Sequence, residues 1–253
     1  MNDTSITSLF DSYFQVVPAT TDKLIEKVYN IRHQVYCEEL EFEDKRPSSL
    51  EFDEYDLRSS HCLLFHKPSQ TYAGCVRLIL GDKDDPGARF PFEVTCNDRL
   101  NWEFENANTH DRTQYGETSR LAITSQFRRR RDEKKTPDGG SEAIDNSGGD
   151  ERRRFPSVAL GLYLATTAIA MEKKLEGVFA MMEPRLARQL RRFGFMFNQV
   201  GEIVEHRGER APFIIKISEI PDTLKPDYLA LLTHIQDQIH SSREVISLHN
   251  ERL

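Results

Sequence analysis

The stretch VALGLYLATTAIAMEKKLEGVFAMM, Val158–Met182, decides the architecture. From Val158 to Met171 it is apolar, broken only by Gly161, Thr166 and Thr167. That run falls short of the ~20 residues a membrane-spanning helix needs. It reads as a buried helix, capped by Ser157 and ending near Gly177. Val178–Met182 follows as a short strand, and Glu117–Thr124 reads as a strand upstream. A helix between two such strands predicts a right-handed crossover, which joins parallel neighbours.

Outward from this unit the pattern changes. Residues 21–40 carry Leu24, Val28, Ile31 and Val35 at helical spacing, with Thr21 or Asp22 to cap the start. Residues 43–60 are acidic and read as a loop. His61–His66 and Tyr72–Leu80 read as strands around a Lys67–Gln70 turn, and Asp82–Gly87 breaks the second of them. Residues 91–110 are ambiguous, with a short helix followed by loop as one reading. Pro184 opens a short helix that Gly194 stops. Phe195–Val204 and Phe213–Ile217 suit a closing hairpin, and Leu224–His240 a final helix. The expected fold class is α/β: a mixed, mostly antiparallel sheet with one parallel pair, flanked by helices. It forms a single domain over residues 1–253, with 222–253 as a C-terminal helical extension. Residues 128–154 are charged and glycine-rich and are expected to be a mobile insertion.

Bulk properties exclude several classes. The 253 residues carry a net charge of -7, with 38% hydrophobic and 30% charged residues. Such a chain has no bulk attraction for nucleic acid or an anionic membrane. Cys37, Cys62, Cys75 and Cys96 show neither C-x-x-C nor metal-ligand spacing, so no metal site is expected and the four thiols suit a reducing cytoplasm. Met1–Phe10 is polar without a cationic start, so no secretory leader is expected. No G-x-S-x-G, Walker loop or dinucleotide fingerprint occurs.

Glu51-Phe52-Asp53-Glu54-Tyr55-Asp56 places four carboxylates in six positions. Such crowding needs a cation or an amine to offset repulsion, and one carboxylate forced upward in pKa can take a proton from an ammonium. A solvated acidic loop is the bland alternative, weighted about equally because Phe52 and Tyr55 interleave with the acids. Arg77 shares a strand face with Cys75 and Ile79. It reads first as a structural ion pair, with direct catalysis as the alternative. Glu117 and Ser119 share a face of their strand, and Arg120 is expected on the other. Arg32 either reaches a carboxylate in the following loop or snorkels to solvent. His61 reads as a structural residue before it reads as a base. Arg128–Arg131 and Arg152–Arg154 read first as solvated charge. The alternative is a patch, joined by Arg188, Arg191 and Arg192, that docks an acidic partner. RNA binding lacks an aromatic stacking platform beside these arginines.

Taken in order, Ile31-Arg32-His33-Gln34-Val35-Tyr36, the 51–56 acids, Gly74-Cys75-Val76-Arg77-Leu78 and Glu117-Thr118-Ser119-Arg120 resemble the acyl-homoserine-lactone synthase group of GNAT acyltransferases. The likeness extends to the PEP-CTERM/exosortase-associated acyltransferases and the N-acyl amino acid synthases. Arg192-Phe193-Gly194-Phe195 resembles the end of the last GNAT helix, so the resemblance spans about residues 20–217. It implies Glu51, Asp53, Asp56 and Glu117 as catalytic, with the acids holding the amine and helping to deprotonate it. It implies Arg32, Arg77, Ser119 and Arg120 as the groups that order the acids and contact the acceptor.

Two departures bear on substrates. The family's tryptophan after the first helix is matched only by Phe42. The Q/R-x-x-G-x-G/A loop that presents backbone N–H groups to coenzyme A phosphates is absent, and Gln126 leads into arginines. The expectation is therefore an acyl group carried on the phosphopantetheine of acyl carrier protein, with no further cofactor. Arg128, Arg129, Arg130, Arg188, Arg191 and Arg192 would dock that protein. A free α-amino acid is the expected amine acceptor. S-adenosylmethionine, giving an acyl-homoserine lactone, is the alternative within the class. A non-catalytic module binding acyl carrier protein or lipid, and an RNA adaptor, are alternatives outside it.

Overall fold

Leu63 and Leu64 are both fully buried, yet they pack in different hydrophobic clusters. Strand alternation points them to opposite faces, so the sheet they belong to must be covered on both sides. A computed structural model describes residues 5–101, 112–128 and 158–250. The strands are β1 (Phe14–Pro18), β2 (Ser59–His66), β3 (Thr71–Leu80), β4 (Tyr115–Ile123), β5 (Gly177–Met182), β6 (Asn198–Gln199), β7 (Val204–Glu205) and β8 (Glu209–Lys216). They form one sheet in the order β1-β2-β3-β4-β5-β8-β6, with β7 pairing on β8. Every pairing is antiparallel except β4 with β5. The parallel pairing expected from sequence for these two strands is therefore present.

Helices α1 (Ile6–Tyr13), α4 (Val158–Glu172) and α6 (Pro226–Asn250) pack on one face with Val76, Leu78, Leu121 and Ile123. Every residue of α4 from Ala159 to Ala170 is buried, which explains its unbroken apolar sequence. A Cβ at Gly161 would lie 2.9 Å from the Phe10 ring, so the glycine lets α1 approach. On the other face, α2 (Asp22–Arg32) sets Val28 and Ile31 against Leu63, Cys75 and Ala122. Beside it, α3 (Pro91–Cys96) brings Phe92 onto Phe179 of β5. Helix α5 (Pro184–Arg191) follows β5, and Gly194 takes φ 104° in the turn beyond it.

Several expectations shift. Helix α1 and strand β1 were not expected from the sequence. The helix over 21–40 is α-helical only to Arg32, capped by the Thr21 side chain, and continues as a π-helix over His33–Glu39. The acidic loop holds a 3-10 turn, Glu54–Arg58. The final helix outruns its expected end at His240. The 128–154 insertion lies outside the described residues except for Arg128. No helix among the described residues is long and apolar enough to cross a membrane.

Two irregularities create the site. Cys75 pairs with Ala122 while Arg77 pairs with Ser119, so β4 carries one extra residue there and Arg120 takes φ 49°. This bulge resets the alternation of side chains. The second is a parting of strands. The β4–β5 pairing ends at Thr118 with Ala180, although the strands run on to Ile123 and Met182.

Candidate active site

Arg32 and Arg77 are fully buried and reach the acid run from different elements. Arg32 donates from Nε to Glu51, and its Nη1 lies 2.6 Å from Asp56 Oδ1. Arg77 bridges Asp53 through Nη1 at 2.5 Å and Nη2 at 2.9 Å, and reaches Asp56 at 2.7 Å. Its Nε donates to Ser119 Oγ at 2.9 Å. The 3-10 turn holds the acids in register: Asp53 N–H donates to Asp56 Oδ2 at 2.8 Å, and the Asp53 side chain caps Tyr55 N–H. The structural ion-pair reading of Arg77 and the carboxylate-bound reading of Arg32 describe what is present.

Arg120 corrects the sequence reading. The bulge turns it onto the same face as Arg77, where it meets Glu51 at 3.2 Å and Glu43 at 2.9 Å. Arg207 reaches Glu43 from the β7–β8 turn at 2.5 Å. Arginine guanidiniums therefore occupy the acids Glu51, Asp53 and Asp56 of the run. Burial works against ionisation of Asp56, but Arg32 and Arg77 outweigh it and hold its pKa down at about 2. Glu51 and Asp53 are likewise lowered, because Arg32 and Arg77 respectively overcome the cost of burial. These three carboxylates stay charged and fix the arginines in place.

Glu117 behaves in the opposite way. It is buried, and burial pushes its pKa up to about 8, against the Phe92 backbone N–H that donates to it at 3.1 Å. Arg77 and Arg120 lower it only in part, since their hydrogen bonds go to other carboxylates. A carboxyl poised near neutral pH in a hollow has the properties of a general base. His61 is held neutral, its pKa lowered by burial to about 4, and it sits 3.6 Å from Asp56. It lines none of the hollows described below, which matches its structural reading.

Three hollows meet where β4 and β5 part, and Thr118 lines all of them. The first, about 590 Å³ and open to solvent, is walled by Phe42, Arg77, Glu117, Arg120, Arg207 and Arg210. Phe42, the position that the sequence resemblance set against a tryptophan, lines it. The second lies in the parting itself, between Leu121 and Met182. Tyr36, carried by the π-helix, donates from its hydroxyl to the Leu121 carbonyl at 2.9 Å and so occupies a backbone acceptor there. The third lies under α4, among Tyr163, Thr166, Val178, Phe195 and Ile215. Thr166 and Thr167 donate back to the Tyr163 carbonyl at 3.0 and 2.9 Å, so their hydroxyls ask nothing of an occupant. A charged hollow thus lies on one face, a second lies in the gap between the two strands, and a small, mostly apolar crevice lies under α4.

Residues 31–135 match the family described as acetyltransferase (GNAT) domain, a stretch that contains the acid run, Arg77 and Glu117–Arg120. Over these residues the chain is similar to a GNAT acetyltransferase domain. No curated protein matches the sequence. Among solved structures, the AHL synthase LasI aligns at 16% identity and TM-score 0.51, covering 82% of this chain and 92% of its own. The CoA-dependent acyl-homoserine lactone synthase BjaI, solved with SAM and isopentyl-CoA, aligns at 18% and 0.52, covering 87% of each chain. FeeM, an N-acyl amino acid synthase from uncultured soil microbes, aligns at 10% and 0.52, covering 83% of this chain and 94% of its own. At these identities the likeness establishes a shared fold alone.

The docking arginines divide. Arg188, Arg191 and Arg192 stand exposed on and just after α5. The Arg128 side chain is instead 4% exposed and ion-paired with Glu39, so it secures the end of β4 rather than facing a partner. Arg129 and Arg130 lie outside the described residues. The sequence reading did not single out Glu43, Thr118, Arg207 or Arg210. The signal for the last two was the charged run His206-Arg207-Gly208-Glu209-Arg210 between two strands.

Proposed function

We propose that this GNAT domain is an N-acyltransferase moving a fatty acyl group from an acyl carrier protein thioester to the amine of an α-amino acid. The observation that carries the reading is Glu117, a buried carboxyl with its pKa near 8 in the hollow that opens onto the strand gap. Its carboxylate accepts a proton from the acceptor ammonium. The freed amine attacks the thioester carbonyl, whose oxyanion is met by backbone N–H groups at the parted strands, each worth roughly 3 kcal/mol. Collapse breaks the carbon–sulfur bond; Glu117 gives its proton to the departing thiolate, and the regenerated carboxylate takes the second proton from the acylated nitrogen and releases it to solvent. The pantetheine arm enters through the strand gap, and the acyl chain lies in the apolar chamber under α4.

Charge supports the acceptor class. Arg32, Arg77, Arg120 and Arg207 pair with Glu43, Glu51, Asp53 and Asp56, and Arg210 lines the same hollow as Glu117 without an ion-pair partner among the described residues. The Arg210 guanidinium suits an acceptor that carries a carboxylate. The missing pyrophosphate loop and the exposed arginines after β5 support a carrier protein as donor, although BjaI is described as CoA-dependent. The four free, buried cysteines support a cytoplasmic setting.

The test supplies purified protein with acyl carrier proteins of several chain lengths, the matching coenzyme A thioesters, and a mixture of amino acids, simple amines and S-adenosylmethionine. Mass spectrometry should find N-acyl amino acids together with free carrier thiol. A lactone from S-adenosylmethionine would replace the acceptor assignment. Bound acyl carrier protein without thiol release would make the chain a binding module.

A further inference from the structure

We propose that Arg210 is the carboxylate anchor of the acceptor, so that the substrate amine must carry an α-carboxylate. The inference rests on the acyltransferase reading above and adds to it a recognition element. Arg32, Arg77, Arg120 and Arg207 each pair with at least one carboxylate. Among the described residues, Arg210 pairs with none, and its Nε is buried without a hydrogen-bond partner. It lines the hollow that contains Glu117 and also the hollow in the strand gap. It is close enough to Tyr36 to act on that hydroxyl's pKa.

Its backbone is held from two sides. Arg210 pairs with Val204 in the β7–β8 hairpin, and the next residue, Ala211, pairs with Met182 of β5. The Arg210 backbone is thus fixed beside the end of the strand that borders the gap, and its side chain lines both hollows. A guanidinium with a buried, unpartnered N–H is satisfied best by a planar anion that accepts two parallel hydrogen bonds. An α-amino acid bound there presents its carboxylate to Arg210 and its amine toward Glu117, across the mouth of the thioester channel. The phosphate of the pantetheine arm offers similar anion chemistry, and the test separates the two sources.

The experiment measures kcat and KM for wild type, Arg210→Gln and Arg210→Lys, each checked for thermal unfolding. The acceptors are an amino acid, its amide and its decarboxylated amine. The donors are acyl carrier protein and acyl-pantetheine lacking the phosphate. The expected result is a fall of about 10- to 100-fold in the ratio of kcat/KM for acid over amide in Arg210→Gln, carried by KM. Arg210→Lys should recover part of it. An equal loss for acid and amide overturns the inference. So does a loss that appears with the phosphorylated donor and vanishes with acyl-pantetheine. If Arg210→Gln does not fold, the Arg210→Lys ratio decides, and an unchanged ratio overturns the proposal. Wild-type protein that acylates no amine overturns the underlying function as well. Wild-type protein that acylates amines, with a ratio insensitive to residue 210, overturns the anchor alone.

Discussion

The Glu117 carboxylate accepts the Phe92 backbone N–H at 3.1 Å, while Arg77 directs its own hydrogen bonds to Asp53, Asp56 and Ser119. A buried carboxyl left in this way keeps a high pKa and has a proton to exchange. Glu117→Gln keeps an acceptor for Phe92 and removes only the titration. Turnover should fall about 10²- to 10⁴-fold with the fold intact. The wild-type rate should rise with pH through about 8 and then level. The stability sign is opposite: a carboxyl raised from 4.5 to about 8 contributes stability below pH 4.5 that is lost as pH rises through 8. Unfolding of Glu117→Gln measured across that range should be flatter than wild type.

Arg32 has no exposed surface and holds both Glu51 and Asp56. Removing one partner of a buried pair leaves the others charged and uncompensated. Arg32→Met should lose about 3–5 kcal/mol in urea unfolding. Arg120→Met, at a partly exposed rim, should lose much less stability while still lowering turnover.

The sequence makes part of this site visible. Period-two alternation puts Arg77 on the right face, and the acids at 51–56 stand out as a cluster needing cations. Their partners do not stand out. Arg120 lies 69 residues from Glu51, and Arg207 lies 164 residues from Glu43. Arg120 also reaches the cluster only because a bulge breaks the alternation. The pKa of Glu117 depends on burial beside Phe92, whose segment carries no periodic signal. The edge strand Phe14–Pro18 is short and ends in proline, which hides it from any pattern.

Acid should unfold the protein in two steps. His61 is neutral in the fold, its pKa lowered by burial from 6.5 to about 4, so its contribution is lost as pH falls between those values. Asp56, lowered from 3.8 to about 2, contributes stability above pH 3.8 that is lost toward pH 2. Glu51 and Asp53 are lowered in the same direction. His61→Phe should abolish the first loss, at most about 3 kcal/mol, and leave the second. Urea unfolding at a series of pH values measures both.

Thr118 touches all three hollows at the last paired position of β4 and β5. A larger apolar side chain there intrudes on the route to the chamber under α4 without adding charge. Thr118→Leu should shift preference toward shorter acyl chains, with kcat/KM for long chains falling about tenfold. Competition between acyl carrier proteins of different chain length measures the shift. An unchanged chain-length profile would place the acyl group elsewhere.

Arg188 and Arg192 are exposed at the end of the domain reached directly from β5, within one helix of the strand gap. Under the proposed function, an acidic carrier protein docks over them. Opposite charges at a rim act mainly on encounter and on salt sensitivity. The double reversal Arg188→Glu with Arg192→Glu should raise KM for acyl carrier protein about tenfold at low salt, and less as salt is added. With acyl-pantetheine as donor, which has no carrier surface, the same variant should match wild type. A loss of equal size with both donors would mean that the helix had been damaged rather than a docking face removed.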